Sequence, residues 1–384
     1  MNMNHIGLGI IRNFKDADFR ITGIAKKKNF VCRSKYLHSI IEIDIENEPE
    51  RLLKKLLEIG KNLSDKGFIV PTSEVELMFL ISHAGMLSEY YHLSIPEKEK
   101  FIKVTDKYIF YTELRKHFFH TPETFLLESK ESMDGVTGRV CFPCILKPVF
   151  SGDWKTGRAY SVVGARKAMV IHSRAELEKY YDLVSLLRSK VLLQQIVPSE
   201  DGATYSFCCY ADSSGKVLWG CVTQKLLQYP ENFGTALMCQ TVREPEIYQL
   251  GLQLVEKLGI DGICEVEIMR EQGSGDLYII EINTRHWQQH ILSSSQGINI
   301  SVLDYYCRTG QSQMAHAVLS AVQAHPEPAL WLDDWGYILY SLKHYLHPGM
   351  CKFSCLKRKH ICFSTYRRDD FRPYINILKE RILV

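Results

Sequence analysis

The stretch from Cys264 to His290, CEVEIMREQGSGDLYIIEINTRHWQQH, constrains this chain more than any other. Its first run, Cys264 to Met269, alternates apolar and acidic residues, so as a strand it sets Glu265 and Glu267 on one face. The second run, Leu277 to Asn283, is rich in Ile and ends with Glu281 and Asn283, again two apart and on one face. Between them, Glu-Gln-Gly-Ser-Gly-Asp offers two glycines for positive φ and predicts a hairpin. Symmetry about Ser274 sets Glu267 opposite Glu281 and Glu265 opposite Asn283. Carboxylates opposed across a ladder repel, so the patch needs a cation. Magnesium is held by one or two carboxylates, with phosphates and water completing its shell. Arg285 follows at once, placed to meet an anion beside such a metal. The pattern outlines a metal–phosphate site.

The rest of the chain narrows the class. A length of 384 residues with 46% hydrophobic content allows two or three domains and an ample core. The net charge of +3 does not suggest nucleic acid as a partner. Its distribution is uneven: from Lys343 to Val384 there are ten Lys or Arg against three acidic residues. No apolar run is long enough for a membrane span, and the start, MNMNHIGLGI, lacks the build of a signal peptide. Twelve cysteines in that setting read as reduced thiols of a cytoplasmic protein. Cys141-Phe-Pro-Cys144 runs into an apolar strand, which favours packing over redox chemistry. The spacing Cys351, Cys355, His360, Cys362 admits zinc, but an ordinary basic tail explains it better.

Residues 1–98 predict a small α/β unit. Gly7 and Gly9 suggest a turn opening a helix, followed by a strand from Arg20 to Ala25, a helix from Glu50 to Lys61, a strand at Phe68 to Val70 and a helix from Glu74. Only six residues precede Gly7, so a strand ahead of the glycine turn is missing, very short or lost through the choice of start site. Further on, Thr105-Asp106-Lys107 opens a helix with an N-cap candidate, and Lys147 ends an apolar strand, where its ammonium must meet an anion or reach water. After Gln311, Trp331, Trp335 and the run Tyr337 to Leu346 read as helix packed on the main body.

Glu267, Glu281-Ile-Asn283-Thr-Arg285 and His290 resemble the end of an ATP-grasp domain, the family of biotin carboxylase, D-alanine–D-alanine ligase and D-aspartate ligase. The upstream parts appear in the family's order. By that resemblance, Lys107 and Lys147 contact nucleotide phosphates, and residues 149–158 form the phosphate-covering loop. Val191 to Val197 resembles the adenine hinge, with Gln194, Gln195, Ile196 and Val197 as contacts. Asp201 meets the ribose or serves the turn at Gly202. The run from Lys225 to Ala236 is similar to the D-aspartate-ligase-like branch, where Lys225 neutralises the transferred phosphoryl group. Glu267, Glu281 and Asn283 hold Mg2+ (or Mn2+), and Arg285 orients the carboxylate.

The resemblance implies an α/β fold with three parts. These are a Rossmann-like domain over 1–98, a two-subdomain ATP-grasp domain over 99–312 with its lid at about 144–195, and a basic, partly helical extension over 313–384. It implies an ADP-forming ligase that activates a carboxylate with ATP and couples it to an amine or thiol. Small-molecule acids and amines, an anionic or cell-wall-type precursor, and a homodimer are the partners it suggests. A scaffold that binds ATP without turnover and a small-metabolite kinase are the rival readings.

Overall fold

A computed structural model describes residues 1–382 apart from 2, 156, 165, 188, 232, 323–325 and 358–359. Of the features above, Thr156, Arg358, Lys359 and the side chain of Cys351 lie outside the described residues.

The first unit has two parallel strand pairs. β1 (Thr22–Ala25) pairs with β2 (Ser39–Glu42), and β3 (Gly67–Ile69) with β4 (Tyr91–Leu93). The helix Pro49–Gly60 turns Leu52, Leu53 and Leu56 onto Ile24, Ile69 and Leu80, the i, i+1, i+4 stripe of an amphipathic helix. The glycine reading needs correction. Gly7 and Gly9 lie inside the helix His5–Asn13, which Asn4 caps by accepting from the Gly7 N–H at 2.9 Å. Gly9 is small because His290 and Ile291 press on it, not because the chain turns there; a Cβ would sit 2.6 Å from His290 Cε1. Met1 and Met3 run between β1 and β3, with the Met1 amino group donating to Val70 O and Asn29 Nδ2 to Met3 O.

Two sheets follow. The smaller one orders β5 (Thr124–Leu127), β8 (Val191–Gln195), β6 (Cys144–Pro148) and β7 (Met169–Ile171), all antiparallel. Its β6 is buried at every position, Lys147 included. The larger sheet has seven strands. In chain order they are β9 (Thr204–Ala211), β10 (Val217–Tyr229), β11 (Thr235–Val242), β12 (Gly262–Arg270), β13 (Leu277–Asn283), β14 (Leu330–Leu332) and β15 (Ile361–Phe363). In space they run β13-β12-β9-β10-β11-β14-β15. Alternation along β9 sends Cys208 and Cys209 into cores on opposite faces. The helix Pro245–Leu258 covers one face through Ile247, Leu254 and Val255.

The acidic hairpin is β12–β13. Glu265 pairs with Asn283 and Glu267 with Glu281. A bulge then shifts the register, so that Ile268 pairs with Ile279 and Ile280 has no partner across the ladder.

The C-terminal segment differs from the helical expectation. Trp331 lies in β14, which with β15 extends the large sheet, and only Asp334–Lys343 is helical before a turn and two 3-10 segments. Leu339, Leu342, Tyr345 and Leu346 face solvent instead of packing on the body. Beyond them, buried Asp370 accepts from Arg12 Nε at 3.0 Å, Ser34 Oγ at 2.7 Å and the Lys35 N–H at 3.0 Å, tying the end of the chain to its first unit.

Candidate functional site

A cavity of about 1200 Å³ opens between the two sheets. Its walls include all twelve residues named from the sequence: Lys107, Lys147, Gln194, Gln195, Ile196, Val197, Asp201, Lys225, Glu267, Glu281, Asn283 and Arg285. They arrive from different elements. Lys107 is the first residue of the helix Lys107–Lys116, fixed there because Asp106 caps it through the Ile109 N–H. Lys147 closes β6, Lys225 sits on β10, and the acidic set comes from β12–β13.

The charges interlock. Lys107 Nζ lies 3.1 Å from Glu281 Oε1 and 2.5 Å from Ser151 Oγ. Lys225 Nζ lies 3.7 Å from Glu267 Oε2. Asn283 Nδ2 and Gln289 Nε2 donate to the two oxygens of Glu265 at 3.1 and 3.2 Å, and Arg285 donates to Asn283 Oδ1 at 3.3 Å. Burial would raise the Glu281 carboxyl, but Lys107 and Lys147 outweigh it and hold the group down at about 2. At Glu265 the balance is reversed, and Arg285 and Lys225 do not offset burial. Burial, with Glu267 beside it, pushes it up to about 7.

Lys147 shows the opposite balance. Burial, aided by the charge of Lys107, drives its ammonium down to about 7, against the pull of Glu281 and Glu267. Its Nζ donates to the Tyr111 hydroxyl at 3.0 Å and stands 4.9 Å from the centre of that ring. The Tyr111 hydroxyl in turn donates to the carbonyl of Ile280, the bulged residue. Tyr111 thereby joins the small sheet's lysine to the acidic hairpin of the large one. Sequence reasoning passed over it, since one tyrosine in an amphipathic helix carries no signal. Ser151 and Trp154, within the 149–158 stretch, also line the cavity, as does Met269 on β12, which sequence reasoning passed over. Glu265 was seen in the acidic patch but not placed among the metal ligands.

The hinge side chains have partners within the fold. The Gln194 side chain is turned into the sheet, donating to Thr124 Oγ1 at 2.6 Å, and Gln195 Oε1 accepts from the Glu123 N–H at 3.2 Å. The two amides thus tie β8 to β5 and to the residue before it, while both residues line the cavity. The peptide groups of Ile196 and Val197, past the end of β8, have no intramolecular hydrogen bond among the described residues. Asp201 is exposed, faces Lys352 at 3.5 Å and precedes Gly202 at φ +84°, which favours the turn role over ribose contact.

The donor set suits magnesium. Glu267 and Glu281 are hard carboxylates set face to face, and Asn283 adds an amide oxygen. Among the described residues no three His, Cys, Asp or Glu side chains form a closed metal cage. An open pair is what a cation shared with phosphate oxygens requires.

The sequence of residues 104–287 matches the ATP-grasp domain family. The chain contains an ATP-grasp domain. It is 20% identical over 307 residues to the D-aspartate ligase of Enterococcus faecium (strain Aus0004), covering 76% of this chain and 72% of the relative. The L-amino acid ligase of Bacillus licheniformis superposes with a TM-score of 0.63 at 14% identity, over 86% of this chain and 77% of that one. The biotin carboxylase domain of Hydrogenobacter thermophilus 2-oxoglutarate carboxylase, solved with MgADP, ADP and bicarbonate, gives a TM-score of 0.63 at 18% identity, over 80% and 68%. These likenesses support the ATP-grasp fold.

Proposed function

We propose that this chain is an ADP-forming ligase that uses Mg2+ and ATP to join a small-molecule carboxylate to an amine. The observation that carries the reading is the facing pair Glu267 and Glu281, set among three lysines and Arg285 around one cavity between two sheets. The D-aspartate ligase relative supports the reaction class.

Each residue has a part. The peptide groups of Ile196 and Val197 offer a donor and an acceptor for adenine, between the apolar side chains of Ile145, Met269 and Ile280. Lys107 and Lys147 offset the charge of the polyphosphate, and Lys225 offsets that of the phosphoryl group in transfer. Glu267, Glu281 and Asn283 would hold magnesium, which would withdraw charge from the phosphate when bound. Arg285 aims the substrate carboxylate. A carboxylate oxygen attacks the γ-phosphorus, the bond to the β-phosphate oxygen breaks, and ADP leaves. The amine nitrogen then attacks the acyl carbon, inorganic phosphate departs with the former carboxylate oxygen, and one amine proton is released.

All eleven cysteines whose side chains are described are free thiols, which agrees with a reducing compartment, and we place the protein in the cytoplasm. No helix among the described residues is long and apolar enough to cross a membrane.

A screen for ADP release with amino acids as acid and amine partners tests the reading. Any active pair should yield a hydroxamate when hydroxylamine replaces the amine, because only an activated acyl group reacts with it. Phosphate transfer to a product stable to hydroxylamine would assign a kinase instead. Tight ATP binding with no ADP from any pair would assign a scaffold.

A further inference from the structure

The helix Asp334–Lys343 buries Trp335, Tyr337 and Tyr340 against the body and leaves its other side open. Leu339 and Leu342 lie three apart on that open side, and the stripe continues past the helix end. Leu342 is 65% exposed, and Tyr345 and Leu346 are 70% exposed. Met350 and Phe353, on the two short 3-10 segments that follow, are exposed as well. Scattered exposed leucines are ordinary on a protein surface, but six large apolar side chains on one short projecting segment are not.

The charge around them is one-sided. From residue 335 to residue 368 the sequence holds no Asp or Glu, while Lys343, Lys352, Lys357, Arg358, Lys359, Arg367 and Arg368 are all cationic. Among the described residues, the cations and His360 of this stretch meet few carboxylates: Asp201 meets Lys352, Glu327 meets His360 and Asp369 meets Arg367. Lys343 spends its ammonium on the Tyr229 hydroxyl at 2.7 Å but stays exposed.

We propose that residues 339–353 form a peripheral membrane-binding surface for anionic lipid. Leu339, Leu342, Leu346 and Phe353 enter the acyl boundary, while the lysines and the histidines His344 and His347 meet the headgroups. Charge decides against a second copy of this chain. A two-fold contact through this face would set cations against cations, with no carboxylate in the segment to pair them. The aliphatic side chains decide against a nucleic acid, whose backbone offers leucine nothing to bury against. Tyr340 and Met350 also line the cavity between the sheets, so a docked protein would open its site close to the lipid surface. The proposal stands on exposure and charge alone and is independent of the ligase reading.

Co-sedimentation of the full chain with vesicles tests it, using phosphatidylcholine alone and phosphatidylcholine mixed with phosphatidylglycerol, at low and high salt. Wild type should bind the mixed vesicles at least tenfold more tightly than the neutral ones, and lose that gain in high salt. Leu342→Glu combined with Leu346→Glu should weaken binding at least tenfold with an unchanged melting temperature. If that pair melts early, Leu346→Glu alone, beyond the helix end, gives the same comparison. Lys357→Glu should cost roughly fivefold or more, the order expected for one cation at an anionic surface. Wild type left in the supernatant with mixed vesicles would overturn the proposal. So would leucine variants that bind as well as wild type, or a wild-type dimer without lipid that the leucine variants render monomeric.

Discussion

Glu267 stands directly across the ladder from Glu281, and each is met by a lysine carried on a different element. Lys225 of β10 approaches Glu267 to 3.7 Å, and Lys107, at the start of the helix Lys107–Lys116, approaches Glu281 to 3.1 Å. Two opposed carboxylates repel unless cations lie between them. The lysines supply that charge in the unliganded protein. A bound metal would supply the same positive charge between the carboxylates.

The depressed Lys147 gives the binding a pH signature. Its ammonium titrates at about 7 in the free protein, and a polyphosphate beside it raises that value. Below pH 7 the group is already charged, and binding moves no proton at this site. Above pH 7 binding must take up a proton, so nucleotide affinity should fall about tenfold per pH unit until the raised value is passed. Calorimetry at pH 8 in buffers of different ionisation enthalpy should show proton uptake approaching one, and Lys147→Arg should abolish it.

Tyr111→Phe should separate positioning from bulk stability. The variant leaves Lys147 Nζ and the Ile280 carbonyl without their buried partner. An unsatisfied buried group costs about 1–3 kcal/mol, so a lower melting temperature is expected. The hydroxyl also accepts from the charged lysine and favours that form. Its loss should move the onset of the affinity decline below pH 7, a shift that destabilisation alone does not produce.

Gly9→Ala probes the contact between the first helix and the main body. The new methyl would stand 2.6 Å from His290 Cε1 and 2.8 Å from Ile291 Cγ2, both in packed surroundings. Overpacking of this kind costs about 1–3 kcal/mol. Chemical denaturation should show that loss, whereas Gly273→Ala, in open space at φ +94°, should show a loss from backbone strain without any clash.

Much of this site was legible in the chain, and the reasons are local. The alternation of Glu265 and Glu267, the Glu281/Asn283 pair and a glycine turn suffice to set the facing register, because side-chain period and hairpin symmetry determine it. The bulge at Ile280 was hidden: only a tertiary partner, the Tyr111 hydroxyl, shows why one residue is spared there. The ties from Gln194 and Gln195 to β5 and the residue before it were hidden as well, because they depend on a strand pairing across the sheet. Gly9 misled, since a glycine demanded by a distant histidine is indistinguishable in sequence from one demanded by a turn. The long basic tail announced itself by composition, but that β14 and β15 join the large sheet depends on edges the sequence does not display.

The most direct test of the account is the affinity for ATP measured with and without Mg2+, in wild type and in Glu281→Gln. Removing a charged partner from a metal–phosphate site should lower turnover roughly 10²-fold or more, and its binding signature should be sharper still. Wild type should bind ATP more tightly with magnesium, and the variant, folded by circular dichroism, should lose that dependence. A variant that retains the full magnesium dependence would contradict the assignment of the metal to the facing carboxylates.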